Sequence, residues 1–315
     1  MSRLTKSPSA VAAVFAYHDI GVHCLEALLE LGVDIRLVVT HQDDPSENIW
    51  FASVAEVARK NDIAVITPAN VNTAEVVARV AATEPDFLFS FYYRSMLGDE
   101  LLRVPGKGAF NLHGSLLPRY RGRVPVNWAV INGETETGVS LHRMVSKPDA
   151  GPLVAQHSVP ILINDTALDV FQKLVCAAER VILQAVPGLL DGSAKETPQN
   201  LRHGSYFGGR RPEDGRIDWR RPAWEIHNLI RAVAPPYPGA FFETAGRRIF
   251  VLGSYYRDQP ARTDSPCLYW KDGNAWADCT DGRRLLLTEL RLDGSVLRED
   301  RFIQIFGDRL LLGQT

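Results

Sequence analysis

Two rhythms of apolar residues divide the chain. In its first two thirds, short continuous apolar runs alternate with stretches whose apolar residues recur every three or four positions. VAAVFAY (11–17), DIRLVVT (34–40), IAVITP (63–68), DFLFSFYY (86–93), GAFNLH (108–113) and GVSLHRMV (138–145) read as buried strands. Helical spacing falls on Val22–Leu31, Ser53–Lys60 and Thr73–Ala82, the last opened by a threonine cap. A long helix is expected over 166–190, kinked or ended near Pro187. Strands alternating with helices predict an α/β domain, with a doubly wound, mostly parallel sheet covered on both faces. After about residue 205 the rhythm changes. One helix, Ala223–Ala232, precedes the short strand-like pieces GAFFET, RRIFVLGSYY, CLYW, AWADC and RLLLTELRL, with turn signals between them. A small OB-like barrel is the expected second domain. The organisation predicted is a tail over 1–10, a catalytic α/β domain over 11–204 and a barrel over 205–315.

Composition narrows the function. Of the 315 residues, 45 % are hydrophobic and 23 % charged, enough apolar material for a packed core. The formal charge is −2, from 35 basic and 37 acidic residues. By segment, residues 1–200 carry 17 basic and 22 acidic groups, and residues 201–315 carry 18 and 15. Balances of −5 and +3 argue against a general nucleic-acid partner. No apolar run reaches the roughly 18 residues of a membrane span, and the polar N-terminus has no signal-peptide core. The four cysteines form no CxxC pair and no Cys/His metal spacing. A reduced, cytoplasmic setting, no membrane partner and no metal site are expected.

The chemistry concentrates between residues 110 and 151. Asn111 and His113 stand two apart at the end of a predicted strand, so they share a face. Ligands of open α/β sheets bind at that end. The loop that follows, GSLLPRYRGR, holds Arg119, Arg121 and Arg123. An arginine cluster there suits an anionic ligand better than a core. Asp149 falls in a turn after the next strand. An imidazole can take a proton from an attacking amine, an asparagine amide can donate to a developing oxyanion, and a carboxylate beside the imidazole raises its pKa. With no GxSxG elbow, direct acyl or formyl transfer to an amine fits better than a covalent acyl-enzyme. The plain alternatives are a turn role for Asn111 and Asp149 and a structural hydrogen bond for His113. His142 is expected only to pack or make a structural hydrogen bond, and a metal site at His18 and His23 is not expected. YHDIG lacks the GxGxxG of a dinucleotide fold, and FGGRRPEDG lacks the Gly-Lys-Ser/Thr of a phosphate loop.

Asn111-x-His113, SLLPRYRG (115–122) and Asp149 together resemble the signature of 10-formyltetrahydrofolate-dependent formyltransferases. FAYHDIG (15–21), FSFYYR (89–94), NGETETGVSLHRMV (132–145), DAG (149–151) and RAVAPPYPGAF (231–241) extend the resemblance over nearly the whole chain. Within the family the chain is most similar to the formyltransferase half of the bifunctional polymyxin-resistance protein ArnA, which formylates UDP-4-amino-4-deoxy-L-arabinose for lipid A modification. The decarboxylase half of that protein has no counterpart in this sequence. DGRIDW (214–219) and PPYPGAF also resemble methionyl-tRNA formyltransferases. The resemblance implies Asn111, His113 and Asp149 as catalytic residues. It implies folate contacts at Ser95, Met96, Leu97 and Arg123, and along Val145, Ser146, Lys147, Pro148 and Asp149. The co-substrate implied is 10-formyltetrahydrofolate. The acceptor implied is a nucleotide-linked amino sugar, with UDP-4-amino-4-deoxy-L-arabinose first. Methionyl-tRNA or another UDP- or dTDP-linked amino sugar is the alternative, and a non-enzymatic binding module is disfavoured by the intact triad.

Overall fold

The computed structural model describes residues 10–45 and 47–313. The tail expected over 1–10 lies, but for Ala10, outside the described residues. The chain divides into two compact units. One comprises residues 1–125, 137–159 and 172–207; the other comprises 126–136, 160–171 and 208–315.

The first unit is built on a seven-stranded sheet. In chain order its first half runs β1 (Val11–Ala16), α1 (His18–Glu30), β2 (Asp34–Val39), α2 (Val54–Lys60), β3 (Ala64–Ile66), α3 (Ala74–Ala81), β4 (Phe87–Phe91), α4 (Asp99–Leu102) and β5 (Gly108–His113). A two-residue strand β6 (Arg121–Gly122) comes next, followed by α5 (Pro125–Ile131), of which all but Pro125 belongs to the second unit. They precede β7 (Glu136–Arg143), β8 (Leu153–Pro160), α6 (Ala167–Asp191) and the short β9 (Tyr206–Phe207). The strand order is β3-β2-β1-β4-β5-β7-β8. The first five strands are parallel, and β7 runs antiparallel to β5. Every residue of β4, FLFSF, is buried, as a central strand covered on both faces requires. Phe89 packs against Phe87, Phe91 and Phe110 with ring centroids 5.7–6.1 Å apart. Burying each such ring contributes about 1.5–3 kcal/mol. Leu88, on the opposite face, joins Phe15, Val39, Val76 and Val80 in a second cluster.

The predicted α/β architecture is the one present. Helix α1 begins four residues before the expected Val22. Helix α6 continues through Pro187 to Asp191, rather than ending there. Its start is a reciprocal cap: Asp169 N–H donates to Thr166 Oγ1 at 3.2 Å, and Thr166 N–H donates to Asp169 Oδ2 at 2.8 Å.

The second unit carries α7 (Ala223–Val233), β10 (Ala240–Thr244), β11 (Arg247–Tyr255), β12 (Cys267–Lys271), β13 (Asn274–Asp278) and β14 (Arg284–Leu292). The chain then runs through β15 (Ser295–Val296) and α8 (Glu299–Phe306) to β16 (Arg309–Leu311). The order β10-β11-β14-β13-β12-β16 is antiparallel throughout, a curled half-barrel whose inner face packs Ile226 and Ile230 of α7 against Phe242, Ile249, Val251, Leu287 and Leu292. Helix α7 also explains why two earlier segments belong here, although a boundary at 205 assigns them to the first domain. Buried Arg231 donates to the carbonyls of Leu162 and Asp165, and Asn127 Nδ2 donates to the carbonyl of Ala232.

Candidate active site

Parallel pairing brings the carboxyl ends of β1, β4 and β5 into line. The strand order reverses between β1 and β4, the place where open α/β sheets bind ligands. Antiparallel β7 then lays its residues beside β5 in the register Asn111↔His142 and His113↔Ser140. Alternation puts all four on one face. Asp149 follows β7 in a turn and is in the left-handed region, φ 50°. Aspartate accepts that conformation more readily than most residues.

His113 is 7 % exposed. Its Nε2 lies 2.8 Å from the carbonyl oxygen of Tyr120. A carbonyl only accepts, so Nε2 carries the proton and Nδ1 presents its lone pair. Nδ1 faces Asp149 Oδ1 at 3.6 Å. The other carboxylate oxygen accepts the Gly122 N–H at 2.9 Å. Gly122 has φ 98°, which only glycine adopts freely, and the carboxylate depends on that backbone N–H.

The electrostatics add burial to the expected pull of Asp149. Burial lowers the His113 pKa below its usual value, and it outweighs the upward pull of Asp149 and of the Tyr120 carbonyl. The carboxylate's contribution has the expected sign, but the net shift is downward, which keeps the imidazole neutral and able to accept a proton. For Asp149, burial pushes the carboxyl up. His113, His142 and the Gly122 N–H pull it further down, well below the usual carboxylate range. The pair is therefore a neutral imidazole beside an ionised carboxylate.

His142 has more to do than packing. It is 2 % exposed. Its Nδ1 donates to the carbonyl of Arg143 at 2.9 Å, which leaves Nε2 as an acceptor. Nε2 takes a hydrogen bond from Asn111 Nδ2 at 3.2 Å and stands 3.6 Å from Asp149 Oδ1. His142 thus fixes the Asn111 amide with one N–H still free. No local signal in the sequence marked it, because the role follows from the antiparallel register Asn111↔His142. The hydroxyl of Ser140 holds the following loop, donating to the Ser115 carbonyl and accepting from Leu117 N–H and Gln156 Nε2.

The residues expected to contact a folate fall on three segments, 95–97, 145–149 and the loop at Arg123. Met96 is 58 % and Val145 40 % exposed, unusual for such apolar side chains, and both suit contact with an aromatic ligand. Ser95, Ser146 and Lys147 are exposed, while Leu97 is buried in the core and has only its backbone to offer. Asn72, which the sequence reading did not select, clamps this loop: its Nδ2 donates to the Met96 carbonyl, and its Oδ1 accepts the Gly98 N–H. Ser146 Oγ donates to Asp99 Oδ1 at 2.6 Å, joining the 145–149 segment to α4 just after the 95–97 loop. Pro148 precedes Asp149 in the same turn. Arg123 is exposed, and its N–H donates to the Phe207 carbonyl at 3.0 Å. Gly122, its neighbour, ties this loop to Asp149.

His18 and His23 have partners within the protein. His23 pairs with Glu179 at 3.3 Å on the surface. His18 packs on Trp50 and Phe51. Burial, then the charge of Arg94, lowers the His18 pKa to about 3. In the second unit, burial lowers that of His227 to about 4, against the opposing pull of the Ile163 carbonyl. Both stay neutral when folded, whereas unfolded imidazoles titrate near 6.5. Below pH 6.5 the unfolded state therefore binds more protons, and stability should fall with pH. The expected slope reaches about 1.4 kcal/mol per pH unit for each histidine down to the folded pKa. Urea unfolding at pH 7 and pH 5 checks this, and an unchanged midpoint would contradict it. Among the described residues, no group of three or more His, Cys, Asp or Glu is placed to hold a metal, and no helix is long and apolar enough to cross a membrane.

Comparison with known proteins identifies the family and the fold. The family model described as formyl transferase matches residues 14–186, and the formyl transferase C-terminal domain model matches residues 210–305. An N-formyltransferase from Helicobacter canadensis, solved with folinic acid and dTDP-3-aminofucose, is 21 % identical with a TM-score of 0.70. The match covers 89 % of this chain and 98 % of that one. The sugar 3N-formyl transferase WlaRD, solved with dTDP and 5-N-formyl-THF, is 20 % identical with a TM-score of 0.69, covering 92 % and 100 %. A sugar N-formyltransferase from a Shewanella species is 16 % identical with a TM-score of 0.63, covering 80 % and 100 %. At these identities the likeness establishes the fold.

Proposed function

Because this chain belongs to the formyl transferase family, we propose that it moves a formyl group from 10-formyltetrahydrofolate to the amine of a nucleotide-linked amino sugar. The observation that carries the reading is the buried, neutral His113 held between the Tyr120 carbonyl and ionised Asp149, with Asn111 on the same face. Bound folate would supply the formyl carbon, and exposed Met96 and Val145 fit its aromatic portion. Nδ1 of His113 takes the proton from the attacking amine. Asp149 stabilises the imidazolium that results, across the 3.6 Å gap, and that proton would pass to N10 of the departing tetrahydrofolate as its bond to the formyl carbon breaks. The free N–H of Asn111 donates to the formyl oxygen as charge gathers there. Asn111→Ala should lower kcat by about 10²–10³-fold with folate binding little changed. Normal turnover in that variant would place the oxyanion contact elsewhere.

Three features favour a sugar acceptor. FSFYYR and RGRVPVNW resemble the ArnA-type enzymes, two solved neighbours were captured with dTDP or a dTDP-amino sugar, and residues 201–315 carry a balance of only +3. The ArnA-like segments put UDP-4-amino-4-deoxy-L-arabinose first, ahead of dTDP-linked amino sugars. The test is a formyl-transfer assay with 10-formyltetrahydrofolate across UDP- and dTDP-amino sugars and methionyl-tRNA. Turnover of an amino-sugar nucleotide with methionyl-tRNA essentially untouched is expected. Faster turnover of methionyl-tRNA than of every sugar would overturn the assignment.

A further inference from the structure

We propose that Arg121 binds an anionic oxygen group of a substrate at this site. It stands between two residues whose backbones hold the catalytic pair: the Tyr120 carbonyl accepts from His113, and the Gly122 N–H donates to Asp149. Its own backbone is pinned, since Arg121 N–H donates to the Ser205 carbonyl at 3.0 Å and β6 pairs with β9. The guanidinium is not occupied in the same way. Nε of Arg121 is buried and has no hydrogen-bond partner. Other arginines of this unit are engaged by carboxylates: Arg143 by Glu196, Arg94 by Glu47 and Arg36 by Asp34. No described carboxylate forms an ion pair with Arg121. Asp149, which Gly122 ties to this loop, faces His113 and His142 and accepts the Gly122 N–H.

A buried, charged donor without a partner is costly, and folded proteins rarely leave one unless a ligand completes it. The loop from 114 to 125 holds three arginines and no acid, so its field favours an anion. A guanidinium presents its donors as a planar fork matched to the oxygens of phosphate or carboxylate. Resting on the proposed function, two groups offer that chemistry: the diphosphate of the sugar nucleotide and the carboxylates of the folate tail.

Arg121→Gln and Arg121→Lys test the assignment by steady-state kinetics, each co-substrate varied with the other saturating. The KM of one co-substrate should rise by about 10–100-fold in Arg121→Gln, with kcat changed only a few-fold. Arg121→Lys should lie between, because it keeps the charge and loses the fork. A rise for the sugar nucleotide identifies the diphosphate, and a rise for folate identifies the tail. Thermal melting should show Arg121→Gln at least as stable as the wild type, since it removes an unsatisfied buried donor. Unchanged KM for both co-substrates overturns the proposal, as does a lowered melting temperature with a fall confined to kcat. If the wild type formylates no amino-sugar nucleotide, the functional reading fails on its own account. Calorimetry with UDP and with folinic acid then decides the role of Arg121. Weaker binding of either probe by Arg121→Gln supports it, and equal binding of both overturns it.

Discussion

Glutamine in place of His113 is expected to lower kcat by about 10²–10⁴-fold while the protein keeps its fold and its KM values. Glutamine is the informative choice because its amide N–H can still reach the Tyr120 carbonyl, the partner of Nε2 in the native chain. What it cannot supply is a basic lone pair at the position of Nδ1. The interaction lost is one made as the amine gives up its proton, so it enters the transition state and not the bound substrates. If His113 only anchored the 114–123 loop, the glutamine variant would keep both the anchor and the activity. Formyl-transfer kinetics paired with a thermal melt separate the two accounts, and wild-type kcat in a well-folded His113→Gln protein would remove the base from the mechanism.

What the sequence made legible follows from how local each signal is. The strands of the parallel sheet were readable because both their faces are buried, which leaves continuous apolar runs such as FLFSF in β4. Strand β8, LVAQHSVP, was missed because most of it is half-buried or exposed, so no such run marks it. Helix α5 has seven residues and starts on Pro125, too short for its spacing to stand out from the arginine loop before it. In the site, Asn111 and His113 were visible as an i, i+2 pair at a strand end, a local pattern. His142 was not, because its role depends on the antiparallel register that sets it opposite Asn111. Register is a long-range property, and nothing within a few residues of His142 encodes it. The direction of the His113 pKa shift had the same origin. Asp149 could be named from its motif, but the burial that outweighs it is a property of the folded chain and leaves no local mark. The arginine cluster was read as a unit, yet the structure separates its members. Arg119 and Arg123 are exposed, Arg119 lying 5.6 Å from the Tyr120 ring, while Arg121 has its Nε buried.

Asp149→Asn carries the second large effect, and here the sign of a pH shift decides between two roles. In the native chain burial lowers the His113 pKa and the Asp149 charge opposes that fall. Removing the charge leaves burial unopposed, so the imidazole pKa drops further. A base with a lower pKa stays deprotonated to lower pH. The acidic limb of the kcat/KM profile should therefore move to lower pH in the variant. Turnover should fall at the same time, by about 10²-fold or more, because a weaker base drives proton transfer less and the imidazolium loses its counter-charge. The asparagine can adopt the left-handed φ of 50° seen at Asp149, and its side-chain oxygen can still accept the Gly122 N–H. The turn should therefore survive the exchange. If Asp149 served only that turn, the variant would be nearly as active as the wild type and its acidic limb would not move. Measuring kcat/KM from pH 5 to 9 for both proteins distinguishes these outcomes, and an active variant with an unshifted limb would confine Asp149 to the turn.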